Sequence, residues 1–520
     1  MASPRDPRNT VVKTLAVLPP TAGPRPTWSV DVVFVSRNGG VMIAGWLDDT
    51  FRPLEGITII ATGWRLTLDA DTLARRRRPD VEQALGRSDP HAFGFTGFVF
   101  AGRPLWTSAA CEVEIRLRDG GAETLERPLQ VVEDAEIRKI LLSQLVEGGQ
   151  HGSDAIASIA SLDRGLGDEI LALNRDITST IVSSPYVERF GSAPRRCAGS
   201  IIVCLYGRDE YLFLQNALFS GKAGIDAFEF IYVSNSPELA EPLLDAARGG
   251  HEIYGVSQTV IVLPGNAGFG AANNAAVGSA CSDRVLFVNP DVFPRDRDWA
   301  QKHIDIVIDR PRAETALFGA PLYYDDGSLM HGGMFFEADM GVTFDAGRAV
   351  QWRLLRVEHY GKGASPSVEA FVRPRPVPAV TGAFISAERS WFEKLGGFSD
   401  EFVFGHYEDA DLCLKSIEAG TPPWLHDLRL WHLEGKGSTR RPEHEGGALV
   451  NRWYFSSRWG GLVTGKLLGR APVLPPPASA PPDTAGAAEP AGSEPTPAAT
   501  PASKSGSAWD DGALLAAPGF

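Results

Sequence analysis

Cysteine is sparse and unclustered in this chain. Its five residues, Cys111, Cys197, Cys204, Cys281 and Cys413, are odd in number and form no Cys-x-x-Cys, a pattern of reduced cytoplasmic thiols rather than of a disulfide framework. Long hydrophobic runs are missing as well. No stretch approaches the ~20 apolar residues of a membrane span, and the opening MASPRDPRNTVVKTLAVLPP has no apolar centre long enough for a signal peptide. A soluble cytoplasmic protein is expected, with peripheral contact at the inner face of a membrane left open. A basic excess is also absent. The formal net charge of -14 argues against general nucleic-acid binding and leaves room only for local basic patches.

What remains is an ordinary globular composition, 43% hydrophobic and 22% charged, over 520 residues, enough for two or three domains with a sizeable core. Residues 1–27, rich in Pro, Arg and Thr, and the Pro/Ala-rich stretch 471–520 bury too little to fold and are expected to be disordered. From Trp28 the pattern alternates. WSVDVVFVS and VMIAGWL flank a turn at Asn38-Gly39-Gly40, and CEVEIRLR and AETLERPLQVV flank Asp119-Gly120-Gly121. Short strands at this spacing predict an antiparallel sandwich over 28–132. Its run Arg75 to Arg78 is either an anion site or a solvated face. Helical spacing over 133–198 predicts a connector interrupted at Gly148-Gly149.

An α/β rhythm begins at 199. GSIIVCLYG, FEFIYVSNS, TVIVLPG and RVLFVNPDVFP read as strands and alternate with helical stretches, which predicts a doubly wound, mostly parallel sheet over 199–470 with ligands at the carboxyl ends of its strands. The loop Asn266-Ala267-Gly268-Phe269-Gly270-Ala271-Ala272-Asn273 follows the third strand and lacks Gly-x-Gly-x-x-Gly spacing, so it is no dinucleotide fingerprint. Its small residues admit either a bulky ligand or a tight turn, and the amides of Asn266 and Asn273 bond either the ligand or the loop. Asn289-Pro290-Asp291 ends an apolar strand. Such a carboxylate either caps the next turn or points into the crevice where a divalent cation bridges phosphate oxygens. Further on, Glu408, Asp409 and Asp411 open a helix, where backbone N–H groups favour negative charge, and Trp431-His432 ends a strand.

As an ordered set these segments resemble the family-2 glycosyltransferases with the GT-A fold, from residue 199 to about 465. The resemblance is strongest in GNAGFGAANNAAV, VLFVNPDV, VTGAFISAERSWFEKLGGFSDEFVFGHYEDADLCLKS and LWHLEG, and the loop and the Glu-Asp segment are most similar to the rhamnosyltransferase-like branch that builds cell-surface polysaccharides. It implies a nucleotide-sugar donor and a glycan or lipid-linked acceptor. It implies Mg²⁺ or Mn²⁺ held by Asp291 and His432, and Asp409 as the general base, with Glu408 as a candidate for exchange of roles. Gly382 would lie beside the donor sugar, and Asn266, Gly268, Gly270, Asn273, Asn289, Asn235 and Arg208 around the nucleotide.

Two positions depart from that pattern. Asn289 stands where the metal motif begins with Asp, and Val233-Ser234-Asn235-Ser236 replaces the usual base-reading Asp, so the nucleotide stays open among UDP, dTDP and GDP. Arg208 faces either the diphosphate or a surface ion pair. His331, in LMHGGMFF, is either a structural histidine or part of an acceptor loop. The final helix carries Trp453, Tyr454, Phe455 and Trp459 with Arg452, Arg458, Lys466 and Arg470. It either packs on the catalytic domain or rests on an anionic membrane, with packing favoured for Phe455 and Trp459. The competing readings are a nucleotidyltransferase, for which LYGRDEY is a poor phosphate loop, and a catalytically inactive glycan-binding protein.

Overall fold

The computed structural model describes residues 27–87, 92–146, 158–345, 348–433, 435 and 441–467, without side chains for 342–351. The expected disorder of 1–26 and 471–520, the Gly148-Gly149 interruption and Arg470 lie outside the described residues. Among the described residues, no helix is long and apolar enough to cross a membrane.

Residues 28–132 form one eight-stranded sheet. The expected hairpins are present. Trp28–Ser36 pairs antiparallel with Gly40–Leu47, and Ala110–Leu117 with Ala122–Val132. Asp119 Oδ1 accepts the Gly121 N–H at 2.9 Å and closes the second turn. Trp28–Ser36 also runs parallel to Ala122–Val132, a pairing that hairpin signals cannot announce because its partners are far apart in the chain. Val33, Ile43, Ile57 and Val113 share one core drawn from both halves of the sheet. In the arginine run, Arg75 is bidentate to Asp49, Arg77 to Glu82 and Arg78 to Asp80, so these charges are already matched.

The second sheet has nine strands. Its centre is four parallel strands in the order Gln258–Val262, Phe228–Ser234, Gly199–Leu205, Arg284–Val288. Both faces are covered, so the strands read as unbroken apolar runs. Ile202, Ile231 and Ile261 point into one core, while Ile201, Phe230 and Val260 point into the other. The flanks are mixed. Phe384–Glu388 runs antiparallel to Arg284–Val288 and carries Leu317–Gly319 beyond it. On the opposite edge Tyr186–Phe190 pairs antiparallel with Gln258–Val262, so the end of the expected helical connector is the sheet's outer strand. Its sequence hides this, because Tyr186 and Val187 are exposed, as on an edge. A long hairpin, Met334–Asp345 with Arg348–His359, adds a further arm.

The connector helices Asp134–Val146 and Gly167–Val182 do more than separate two parts. Ile137, Leu141 and Ile170 bury against Met42 and Phe98 of the first sheet and against Val403, Val450 and Trp453. Val450 and Trp453 belong to the helix Pro442–Leu462, whose Phe455 and Trp459 enter the core beside the second sheet. Its arginines are paired: Arg452 with Asp339, and Arg458 with Asp411 at 3.4 Å.

Candidate functional site

Four elements converge at the carboxyl ends of the parallel strands. After Arg284–Val288 the chain turns at Asn289-Pro290-Asp291, the turn being closed by Val292 N–H donating to Asn289 O at 3.1 Å. Gln215, buried on the helix Glu210–Phe219, donates to Asn289 O at 2.9 Å and to Val292 O at 3.3 Å. Val292–Pro294 then pairs antiparallel with Leu430–His432, Val292 lying opposite His432. This register brings His432 to Asp291, with Nε2 and Oδ1 3.3 Å apart and both side chains only 3% exposed. Asn289 Oδ1 and His432 Nδ1 are buried without a hydrogen-bond partner. A carboxylate, an imidazole and an unused amide oxygen are the donor types that divalent Mg²⁺ or Mn²⁺ accepts, so the residues fit such an ion.

The acid cluster is set by a different device. Before the helix Glu408–Glu418, Phe404, His406 and Tyr407 adopt positive φ of 60°, 82° and 75°. Left-handed backbone is unfavourable for bulky residues and persists only when its surroundings impose it. Asn451, fully buried on the last helix, does so: its Nδ2 donates to Val403 O at 2.9 Å and Gly405 O at 2.6 Å, and its Oδ1 accepts from Val403 N–H at 2.7 Å. The helix then starts with its first-turn carboxylates already aimed. Asp409 Oδ2 accepts the Gly382 N–H and Oδ1 the Ala410 N–H, both at 2.7 Å. Asp411, on the same helix, is used structurally, bonded by Trp459 Nε1 at 2.9 Å and Lys415 at 2.8 Å.

The two carboxyl groups differ in charge. Burial, then the neighbouring Asp409, pushes Glu408 well above the usual carboxylate range; neither of its oxygens has a partner. Asp409 is also raised by burial, but backbone N–H groups, those of Gly382 and Ala410 foremost, pull it part of the way back. The negative charge of the pair therefore belongs on Asp409, and the proton stays on Glu408.

One turn links the acid to the metal-type pair. Ala383 O accepts the Asn289 N–H at 2.9 Å, while its neighbour Gly382 N–H holds Asp409. The Gly-rich loop packs on the same side. Gly268 has φ 87°, and a Cβ there would meet Phe404 O at 2.9 Å, so the loop needs glycine at this point. Phe269 N–H donates to Phe404 O at 2.5 Å. Gly270 leaves just enough room for Phe398, 3.1 Å from where its Cβ would stand.

The amides expected near a nucleotide bond the loop. Asn266 Oδ1 accepts the Gly268 N–H at 2.9 Å, and Asn273 Nδ2 donates to Phe269 O at 2.9 Å. Asn235 Oδ1 accepts the Ala267 N–H at 3.0 Å, while its Nδ2 donates to Gly268 O at 3.2 Å. Arg208 pairs with Glu210 at 2.9 Å, the surface ion pair that was one of its two expected roles. His331 is fully buried, 3.1 Å from His359 between their Nδ1 atoms, and burial holds its pKa well below that of a free imidazole.

Arg138, Asn174 and Asn451 carry no motif and escaped the sequence reading. Buried Arg138 donates to Asn174 Oδ1 at 2.8 Å and to Asn266 O at 3.1 Å, and its guanidinium lies 4.5 Å from the Phe404 ring centroid. It therefore grips the Gly-rich loop and the left-handed segment together.

No protein-family model matches the chain. It is 29% identical over 246 residues to an uncharacterised protein, y4gI, of Sinorhizobium fredii, covering 46% of this chain and 25% of that protein. It is 30% identical over 150 residues to the O-antigen biosynthesis protein RfbC of Myxococcus xanthus, covering 29% of this chain and 10% of that one. The chain thus matches a quarter or less of the length of these curated relatives. Among solved structures, it is similar to GalNAc-T7 with UDP, GalNAc and Mn²⁺ at TM-score 0.32 and 13% identity, over 50% of each chain. It is also similar to the mannosyltransferase PcManGT of Pyrobaculum calidifontis with GDP-Man and Mn²⁺, at TM-score 0.32 and 14% identity, over 64% of this chain and 88% of that one.

Proposed function

We propose that this chain is an inverting, metal-dependent glycosyltransferase of the family-2, GT-A type, moving a sugar from a nucleotide donor to a hydroxyl of a glycan or lipid-linked glycan. The observation that carries the proposal is the Gly382-Ala383 turn, which hydrogen-bonds the Asn289-Pro290-Asp291 turn on one side and Asp409 on the other. A metal-type pair and a charged, oriented carboxylate thereby share one crevice at the carboxyl ends of parallel strands, where ligands of α/β sheets bind. The similarity of part of the chain to an O-antigen biosynthesis protein supports bacterial surface polysaccharide as the destination.

Asp291 and His432 would hold the divalent ion, with Asn289 Oδ1 in reserve. When bound, the ion supplies positive charge against the diphosphate as it leaves. The protein's own contribution is positioning and proton transfer. Asp409, held by the Gly382 and Ala410 N–H groups, keeps a lone pair free to take the proton of the acceptor hydroxyl as that oxygen attacks C1 from the face opposite the leaving group. A single displacement of this kind inverts the anomeric centre. Glu408, uncharged beside it, spares the site a second negative charge. The hydroxyl gains acidity only as the bond forms, so a carboxylate is a sufficient base.

The test is a panel of UDP, dTDP and GDP sugars with Mg²⁺ or Mn²⁺, scored for nucleoside diphosphate release and for melting temperature. Metal-dependent release from at least one donor is expected. Stabilisation by a donor with no release under any condition would replace the enzyme with a sugar-nucleotide-binding protein.

A further inference from the structure

At the amino ends of the same parallel strands, opposite the crevice, two thiols and a carboxylate meet. Cys197 precedes the Gly199–Leu205 strand, Glu229 is the second residue of Phe228–Ser234, and Cys281 comes just before Arg284–Val288. Two sulfurs and a carboxylate oxygen from these residues all lie within 4.8 Å of one another. The register brings them together: Ser200 lies opposite Glu229 on one side and Val285 on the other, so three neighbouring strands begin on a common edge.

The cluster is held in place. Glu229 Oε1 accepts from Ser200 Oγ and from the Cys281 N–H, both at 2.6 Å. Ser200 Oγ accepts the Ser282 N–H at 3.2 Å, and Ser282 Oγ donates to Cys197 O at 3.1 Å. The Cys281-Ser282 turn and the Cys197 segment are thus fastened to one carboxylate before any ligand arrives. Glu229 is only 5% exposed and has no cationic partner among the described residues. Burying a carboxylate is costly unless a counter-charge accompanies it. Neighbouring sulfurs make a metal ion the natural counter-charge, because thiolates select soft or borderline cations.

We propose that Cys197, Glu229 and Cys281 form a structural site for a thiophilic divalent cation of the Zn²⁺ kind, separate from the crevice and tying together the starts of three strands. Exposed Cys281 supplies the route of entry, and a water completes the tetrahedron. Each thiol gives up its proton as its sulfur binds, so two protons leave per ion taken up.

Co²⁺ titration of the metal-stripped full chain, kept anaerobic, tests the site. Expected are a thiolate-to-cobalt charge-transfer band with tetrahedral visible bands that saturates at one equivalent for this site, two protons released to the buffer as it saturates, and a raised melting temperature. Cys197→Ser and Cys281→Ser each remove the charge-transfer band. Glu229→Gln, which can keep the hydrogen bonds of Oε1, weakens binding by at least the ~10-fold that even an outer-shell partner costs. Asp291→Asn leaves the band intact and so separates this ion from any in the crevice. Metal-free melting of the serine variants, alike to that of the parent, shows that they fold. The proposal is overturned by a parent protein without the band, by a band that survives both serine substitutions, or by protein isolated from cells with a Cys197–Cys281 disulfide in place of metal.

Discussion

The eight-stranded sheet and the crevice spend their charges in opposite ways. On the sheet, Arg52 meets Asp119 and Glu123, and Arg78 meets Asp31 and Asp80, pairs open to solvent on at least one side. In the crevice Glu408 is fully buried with neither oxygen partnered, and Asn289 Oδ1 and His432 Nδ1 are likewise unused. Matched surface charges stabilise little and do little. Buried groups short of partners destabilise, and a fold keeps them where chemistry or a ligand uses them. The contrast agrees with the proposed reading, in which the crevice works and the sheet supports it.

Substitutions can break that contrast, beginning with the largest effect. Asp409→Asn keeps the side-chain shape but loses the proton acceptor, and turnover should fall roughly 10²–10⁴-fold with donor binding nearly unchanged, measured by kcat beside donor affinity. Retained turnover would remove Asp409 from the base position. His432→Ala comes next. The Mn²⁺ concentration for half-maximal turnover should rise at least about 10-fold, and an unchanged metal dependence would place the ion elsewhere. Arg138→Ala, which frees the Gly-rich loop at Asn266, should raise the donor KM several-fold with little change in kcat. Arg138→Lys should rescue it poorly, since an ammonium cannot bond Asn174 and Asn266 while stacking on Phe404.

Glu408→Gln bears on pH. Burial makes the folded chain hold this proton more tightly than the unfolded chain, so the benefit is full below the ordinary carboxylate range and is lost as pH rises through the elevated folded value. The variant should melt a few degrees higher than the parent at alkaline pH, and the gap should close under acid. A gap that widens under acid would contradict the assigned direction. The smallest effect belongs to Arg52→Ala on the sheet, whose pairs with Asp119 and Glu123 are exposed, so melting temperature and activity should both stay close to those of the parent.

The elements that were readable from sequence are those whose signal is local. The four parallel strands announce themselves as apolar runs, and Asp291 and His432 could be singled out because each stands at a strand end. Their closeness depends on Val292 pairing with His432, a contact between residues far apart in the chain. The strand Phe384–Glu388 was missed because five residues beside a glycine turn look like loop. Tyr186–Phe190 escaped because an edge strand need not alternate. Arg138 could not be singled out at all. Its meaning depends on Asn266, 128 residues away, and no local pattern encodes such a partner.

The grip of Asn451 on Val403 also fixes a timetable. The acid pair sits at 408 and 409, yet the amide that sets its approach comes 48 residues after Val403. On a ribosome the sheet can assemble while the last helix is still inside the exit tunnel. A nascent chain would therefore hold its Gly-rich loop and parallel strands before its acid pair was set, and would set that pair only once the helix Pro442–Leu462 had emerged.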